Sequence, residues 1–270
     1  MASYINTNIS SLNAQRNLSS SQSALQTSLQ RLSSGMRVNS AKDDAAGMAI
    51  ASRMESQIRG MNQAARNAAD GISMAQTAEG ALGAIQSNMA RMRELAVQGA
   101  NATSSDDVAT IDNEFTQLNA ENARIITATT FNGINLLSAA VSATFQVGAN
   151  STATVDDITV TTAGAIAPTS TTLGATSATA QLEITKLDAD IAAVASARST
   201  FGAVQSRFEA VISTLQISSE NQTAARSRIM DTDYAAETAA LTRAQILQQA
   251  GTAMLAQANQ SPNTVLTLLR

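Results

Sequence analysis

A long heptad pattern occupies residues 54–96, which read MESQIRGMNQAARNAADGISMAQTAEGALGAIQSNMARMRELA. Apolar or small side chains recur there at alternating intervals of four and three residues: Met54, Ile58, Met61, Ala65, Ala68, Ile72 and Ala75, followed by Leu82, Ile85, Met89, Met92 and Ala96. This spacing predicts a helix with a sustained apolar seam. A helix from about residue 41 to 99 would be roughly 85–90 Å long at 1.5 Å per residue. Such a helix needs neighbouring helices, because most helical stability comes from tertiary packing.

A second predicted helix, with a stop signal after it and a start signal for the long helix, precedes this segment in the chain. Residues 3–34 carry leucines seven residues apart among Ser, Gln and Asn, which predicts an amphipathic helix with a narrow seam. Gly35 is placed to end that helix in a left-handed conformation. Residues 40–43, SAKD, have the form of a capping box that would start the long helix.

The chain beyond residue 99 predicts four more segments. Ser104 is a candidate N-cap for a third helix with the same three-four spacing, in which Asn122 is a polar seam residue of the kind that fixes register. Residues 131–177 are rich in Thr, Ala, Ser and Gly, and 143–147 and 157–161 alternate as short strands do. Helical periodicity returns from about 178 to 229, breaks at 230–233, and resumes from about 234 to 259.

These elements predict a mainly α fold, a long antiparallel helical bundle or coiled coil that runs out and back as a rod, with a small β-containing outer segment. The predicted domains are a terminal coiled-coil domain of residues 1–40 and 234–270, a helical rod domain of residues 41–137 and 178–233, and a short variable segment of residues 138–177.

Composition excludes much chemistry. The 270 residues include no Cys and no His, so thiol and imidazole nucleophiles, bases and metal ligands are absent. Asp43 and Asp44 resemble a carboxylate pair, but their position in a first helical turn favours capping. The net charge of −4 argues against binding to nucleic acid or to an anionic membrane. We therefore expect neither an enzyme nor a cofactor, and no membrane insertion.

The terminal helices have narrow apolar stripes that cannot bury much area as a single pair. An intramolecular bundle and an assembling subunit both remain compatible with this periodicity. The predicted assembly seam consists of Ile5, Ile9, Leu12, Leu18, Leu25, Leu29, Leu32, Leu241, Leu247, Met254, Leu268 and Leu269.

Several longer motifs resemble bacterial flagellins. In the N-terminal half these are INTNISSLNAQRNL at 5–18, LSSGMRVNSAKDDAAGMAI at 32–50, DGISMAQTAEGAL at 70–82, MRELAVQ at 92–98 and FNGINLL at 131–137. In the C-terminal half they are FGAVQSRF at 201–208, SRIMDTDYAAE at 227–237 and QQAGTAMLAQANQSP at 248–262. The resemblance covers about residues 1–137 and 180–270, and the middle segment, which varies in the family, is very short.

The resemblance implies a structural subunit that polymerises into the flagellar filament, an extracellular helical homopolymer used for swimming. It also implies export in an unfolded state by the flagellar type III apparatus, with an export chaperone, a cap protein and junction proteins as partners. The N-terminus shows no cleavable signal pattern, which fits that route. The alternatives are a hook–filament junction protein of similar architecture and a monomeric helical-bundle binding protein.

The resemblance further implies contact with a host Toll-like receptor. Arg91, Leu95 and Glu114 match the family's contact positions, whereas Ala90 stands where strongly recognised flagellins usually carry Gln. A solvated helix face or filament contacts would explain the same charged side chains.

Overall fold

The computed structural model describes residues 7–101, 104–138, 140, 142–152, 155–161, 169–174 and 176–267. These residues form the helices α1 (Ile9–Ser34), α2 (Ala45–Ala100), α3 (Ser105–Ala128), α4 (Ser177–Met230) and α5 (Tyr234–Thr267), and the strands β1 (Thr130–Phe131), β2 (Ile134–Asn135), β3 (Ser142–Gln146) and β4 (Asp157–Thr161). The chain divides into a terminal unit, Met1–Ser56 with Asn221–Arg270, and a central unit, Gln57–Glu220. The predicted mainly α fold with a small β-containing segment is confirmed.

Local capping explains where α1 begins and ends. Asn8 Oδ1 accepts a hydrogen bond from the Ser11 amide at 3.1 Å and caps the N-terminus of α1. Gly35 adopts φ 70°, and its amide donates to Arg31 O at 2.8 Å. The predicted glycine stop is confirmed, since a left-handed residue ends a helix with little strain only when it lacks Cβ.

The start of α2 differs from the prediction. Asp43 Oδ2 accepts from the amides of Asn39 and Ser40 at 3.1 and 2.9 Å, and the bond from Ser40 is one half of the predicted capping box, but residues 40–43 form a turn that precedes the helix. Asp44 Oδ1 instead accepts from the Gly47 amide at 2.8 Å, and the helix begins at Ala45. The predicted first-turn position of both aspartates is therefore wrong, because a short carboxylate side chain competes for nearby backbone amides.

The middle of the chain contains two hairpins. The predicted strands near 143–147 and 157–161 form an antiparallel pair in which Phe145 lies opposite Ile158. The sequence reasoning missed the β1–β2 hairpin, whose turn residues Asn132 and Gly133 have φ 49° and 79°. Asn-Gly with two positive φ angles is the pattern of a two-residue type I′ turn.

In the central unit, α2 and α4 pair in an antiparallel register. Side-chain hydrogen bonds join Asn62 to Ser219 (3.3 Å), Glu79 to Gln205 (2.7 Å), Gln86 to Arg198 (2.5 Å) and Arg93 to Asp188 (2.6 Å). Partner numbers on α4 fall as those on α2 rise. Between the helices lies an apolar core that includes Leu82, Ile85, Met89, Phe201 and Phe208.

Helix α3 pairs with α2 around a buried polar contact. Asn122 is fully buried, and its Oδ1 accepts from Asn88 Nδ2 at 2.9 Å. Phe115 packs beside it in a second cluster with Met92 and Leu95. The N-cap predicted at Ser104 is confirmed by the hydrogen bond from the Asp106 amide at 3.3 Å.

Helix α5 is longer than predicted. The chain remains helical past Asn259 and through Pro262 to Thr267. Proline fixes φ near the helical value and removes one amide donor, so this helix continues through it with one hydrogen bond fewer.

Candidate functional site

The terminal unit is built on an antiparallel pair of helices, α1 and α5. Asn8 Nδ2 donates to Ala258 O at 2.7 Å, and Ser11 Oγ donates to Asn259 Oδ1 at 2.8 Å. At the other end of the pair, Arg31 NH1 lies 3.6 Å from Glu237 Oε2. The hydrogen bonds and the ion pair therefore fix the ends of the pair in register.

Small side chains line the contact between α1 and α5. The buried positions among the described residues of the two helices are Ser11, Ser28 and Ala244. A Cβ atom at Gly251 would lie 3.3 Å from Leu18 Cδ1, so the glycine lets the helices approach closely. Over the residues whose burial is described, the pair thus buries no large apolar side chain completely.

Large apolar side chains remain exposed on the same two helices. Their exposed fractions are 61% for Ile9, 52% for Leu12, 50% for Leu29, 59% for Ile246, 51% for Leu247 and 64% for Met254. We call these six residues the exposed apolar set. Large apolar side chains left exposed on paired helices are candidates for burial against a partner.

The predicted seam residues therefore fall into two groups. Leu18, Leu25, Leu32 and Leu241 are half-buried, whereas Ile9, Leu12, Leu29, Leu247 and Met254 belong to the exposed apolar set. Ile5, Leu268 and Leu269 lie outside the described residues. The sequence reasoning missed Ile246, although the adjacent apolar residues 246 and 247 could have indicated a second exposed direction.

The short segment that follows α1, residues 35–38, binds the segment at the end of α4 that leads into α5, residues 229–232. The Arg37 amide donates to Met230 O at 2.6 Å, and the Thr232 amide donates to Gly35 O at 2.9 Å. Arg37 NH2 also donates to Ile229 O at 2.6 Å. Backbone hydrogen bonds thus join these two segments in a short antiparallel bridge.

The predicted receptor positions lie in the central unit. Arg91 NH2 lies 2.9 Å from Glu114 Oε1, and Arg91 NH1 lies 3.0 Å from Glu94 Oε2. The hydrogen bonds that Arg91 donates to Glu114 and Glu94 raise the pKa of Arg91 above its usual value. Leu95 is only 2% exposed and packs in the core. The structure therefore brings Arg91 and Glu114 together at the surface but places Leu95 beneath it.

Shifted acid pKa values arise from neighbouring hydrogen-bond donors. Hydrogen bonds from Ser40 hold the pKa of the Asp43 carboxyl below its usual value, and Arg93 does the same for Asp188. Within the described ranges, no group of three or more acidic side chains is arranged to hold a metal ion. Nor does any helix among the described residues combine the length and the apolar character that a membrane span requires.

These features define a class: a helical structural subunit with apolar side chains left exposed on paired terminal helices. The family model of the bacterial flagellin N-terminal helical region matches residues 5–142, and that of the C-terminal helical region matches residues 184–269. The chain belongs to the bacterial flagellin family. It is a structural subunit of the extracellular flagellar filament, and the family is not one of enzymes.

Relatives of similar length support this assignment. The chain is 47% identical to a flagellin of Halalkalibacterium halodurans, with 98% of this chain and 99% of the relative covered. It is 44% identical to a flagellin of Xenorhabdus nematophila over 100% of both chains. The crystal structure of Bacillus cereus flagellin is 33% identical, covers 56% of this chain and 88% of that chain, and gives a TM-score of 0.50.

Proposed function

We propose that the exposed apolar set on α1 and α5 forms the contacts that join one subunit to the next in the filament. The carrying observation is that these six side chains are at least half exposed, while the buried positions among the described residues of α1 and α5 are the small residues Ser11, Ser28 and Ala244. Residues 1–40 and 234–270 would form the inner core of the filament. Residues 41–137 and 178–233 would form the surrounding layer, and residues 138–177 would face outward.

Energetics favour burial of this set on assembly. Full burial of a large aliphatic side chain is worth about 1.5–3 kcal/mol. A head-to-tail contact of this kind repeats without closing and so builds an open filament. We assign self-association to a surface made of this set together with the predicted seam residues Leu18, Leu25, Leu32, Ile5, Leu268 and Leu269.

We also propose that the terminal helices fold fully only on assembly. A pair that buries mainly Ser11, Ser28 and Ala244 gains little apolar burial to offset the ordering of its backbone. Such a pair suits export of the chain in an unfolded state by the flagellar type III apparatus. An export chaperone that holds α5, and the cap and junction proteins, would cover the exposed apolar set before or during assembly.

A matched pair of substitutions tests the proposed surface. Leu247→Gln removes one member of the exposed apolar set, and Leu182→Gln changes a leucine on α4 that is 65% exposed but lies outside the terminal helices. Loss of about 1.4 kcal/mol or more per contact raises the concentration needed for polymerisation about tenfold. Sedimentation and electron microscopy after seeding measure that concentration, and circular dichroism checks helix content.

The expected result is a higher polymerisation threshold for Leu247→Gln and an unchanged one for Leu182→Gln. Equal thresholds for both variants and the parent would refute the assigned surface. If neither the parent nor any variant polymerised under seeding, a junction protein or a monomeric binding protein would be the better assignment.

A host Toll-like receptor is a second proposed partner. The ion pair of Arg91 with Glu114 presents both charges at a surface where each side chain is 50% exposed. We expect Arg91→Gln to weaken binding of a receptor ectodomain, and Arg124→Gln, which removes an ion pair with Glu121 elsewhere on α3, to leave it unchanged. No measurable binding by the parent chain would overturn this partner.

A further inference from the structure

The β1–β2 turn holds the one Asn-Gly dipeptide in the sequence, Asn132-Gly133. Both residues are exposed, with φ 49° and 79°. The ladder pairs Phe131 with Ile134, so in this type of turn the Gly133 amide takes no part in the ladder. Each flanking strand is two residues long, and the Leu136 amide continues the pairing by donating to Thr129 O at 3.0 Å, so the turn residues form the exposed tip of the hairpin.

We propose that Asn132 is a site of spontaneous deamidation and isomerisation, a slow covalent modification that needs only water. The Gly133 backbone nitrogen attacks Asn132 Cγ, a C–N bond forms, the nitrogen loses its proton, and ammonia leaves. Water then opens the resulting succinimide ring. Opening at the side-chain carbonyl gives aspartate, and opening at the backbone carbonyl gives isoaspartate, in which the chain runs through the former side chain.

The surroundings of the turn leave this attack open. A Cβ atom at Gly133 would meet no atom within 4 Å beyond its chain neighbours, so this side of the turn is open. Among the residues that the structure describes, none forms a hydrogen bond with the Asn132 side chain. The two reacting groups are thus neighbours in sequence and exposed at the tip of a hairpin.

The dipeptide Asp70-Gly71 offers a comparison with Asn132-Gly133 within the same chain. This dipeptide forms the same kind of ring in a flexible chain, but here it lies inside α2, where Gly71 is buried against Phe208. A helical amide is held in an intrahelical hydrogen bond and does not approach its neighbour's side chain. We therefore expect Asp70 to resist the reaction that Asn132 undergoes.

Isoaspartate at position 132 would disturb more than the turn. Asn135, at the end of β2, donates from Nδ2 to Ile126 O (3.0 Å) and Thr127 O (2.8 Å) and so caps the last turn of α3. Its Oδ1 accepts from the Leu137 amide at 2.9 Å. An extra backbone carbon in a two-residue turn shifts the register of the ladder that positions this cap. Either product also adds a negative charge to a chain of net charge −4.

The test is incubation of the folded full-length protein in mildly alkaline buffer, followed by peptide mass mapping and labelling with an isoaspartyl methyltransferase. Asn150, which is exposed and followed by Ser151, is the internal reference. We expect Asn132 to convert first, about tenfold faster than Asn150, because Gly places no side chain in the path of attack. Asn132→Gln should abolish the label in that peptide, and Asn150→Gln should not.

Two results would overturn the proposal. One is conversion of Asn150 at least as fast as that of Asn132 in the folded protein. The other is an intact Asn132 in the folded protein under conditions in which the urea-unfolded chain converts, since that would show that the hairpin protects it.

Hydrogen exchange tests the structural consequence separately. The converted fraction should exchange faster across residues 126–137, whereas freshly prepared Asn132→Asp, which carries the charge without the extra backbone atom until it isomerises itself, should exchange as the parent does. Equal acceleration in Asn132→Asp would assign the effect to charge and refute the register argument.

Discussion

Two glycines of α2 make opposite predictions for the same substitution. A Cβ atom at Gly71 would lie 2.6 Å from Phe208 Cζ, whereas one at Gly80 would meet no other atom within 4 Å. Replacing a helical glycine with alanine gains about 1 kcal/mol of helix propensity in both cases. The difference in stability between Gly71→Ala and Gly80→Ala therefore isolates the steric effect.

The Phe208 ring has little room to move. It is fully buried and packs edge-on against Phe145, with ring centroids 5.6 Å apart and planes at 84°. Overpacking a core of this kind costs about 1–3 kcal/mol. We expect Gly80→Ala to raise the free energy of unfolding by up to about 1 kcal/mol. The free energy of unfolding of Gly71→Ala should be about 1–3 kcal/mol lower than that of Gly80→Ala.

Urea unfolding followed by far-ultraviolet circular dichroism measures both variants. Equal m values make the difference in midpoint a difference in the free energy of unfolding. Phe208→Leu should relieve the clash, so the double variant with Gly71→Ala should be more stable than the sum of the single changes indicates. Equal stability of Gly71→Ala and Gly80→Ala would refute the steric reasoning.

Two further predictions concern a core leucine and the α1–α2 loop. Leu173 is fully buried, so Leu173→Ala should destabilise the protein by about 2–5 kcal/mol in urea unfolding, while Val155→Ala, at a residue 74% exposed, should change little. Because Ser40 lowers the pKa of Asp43 in the folded protein, this carboxylate stabilises the fold at pH values above its ordinary pKa. That contribution should be lost as the pH falls through the lowered value, so the urea midpoints of the parent and Asp43→Asn should converge on acidification; a constant gap would contradict it.

Signals confined to a few neighbouring residues were readable from the sequence. Gly35 and Ser104 act as predicted, because a left-handed stop and a serine N-cap are satisfied by atoms within four residues. The β3–β4 strands were predicted from alternation alone. The Asn-Gly turn was equally local and was available as a hairpin signal.

Competing local contacts and contacts distant in sequence limited the remaining predictions. Residues 40–43 make one bond of a capping box, from the Ser40 amide to Asp43, yet the helix begins later, at Ala45, where Asp44 accepts from the Gly47 amide. Leu18, Leu25 and Leu32 repeat every seven residues and are all half-buried, whereas Leu12 and Leu29 lie off that repeat and are exposed. The predicted seam grouped both kinds of leucine together, although only the heptad positions are partly buried within the subunit.

The antiparallel register of α2 and α4 has a consequence for the length of the segment between them. Arg93 and Asp188 are 95 residues apart in sequence, and Asn62 and Ser219 are 157 apart. Once the inner pair has formed, each outer pair closes only a short additional loop, so this unit can fold from the connected end outward. Doubling the intervening chain adds only about 0.6 kcal/mol of closure entropy. A longer flexible segment between the two helices is therefore compatible with the same pairing, at a closure cost below the free energy of burying one leucine.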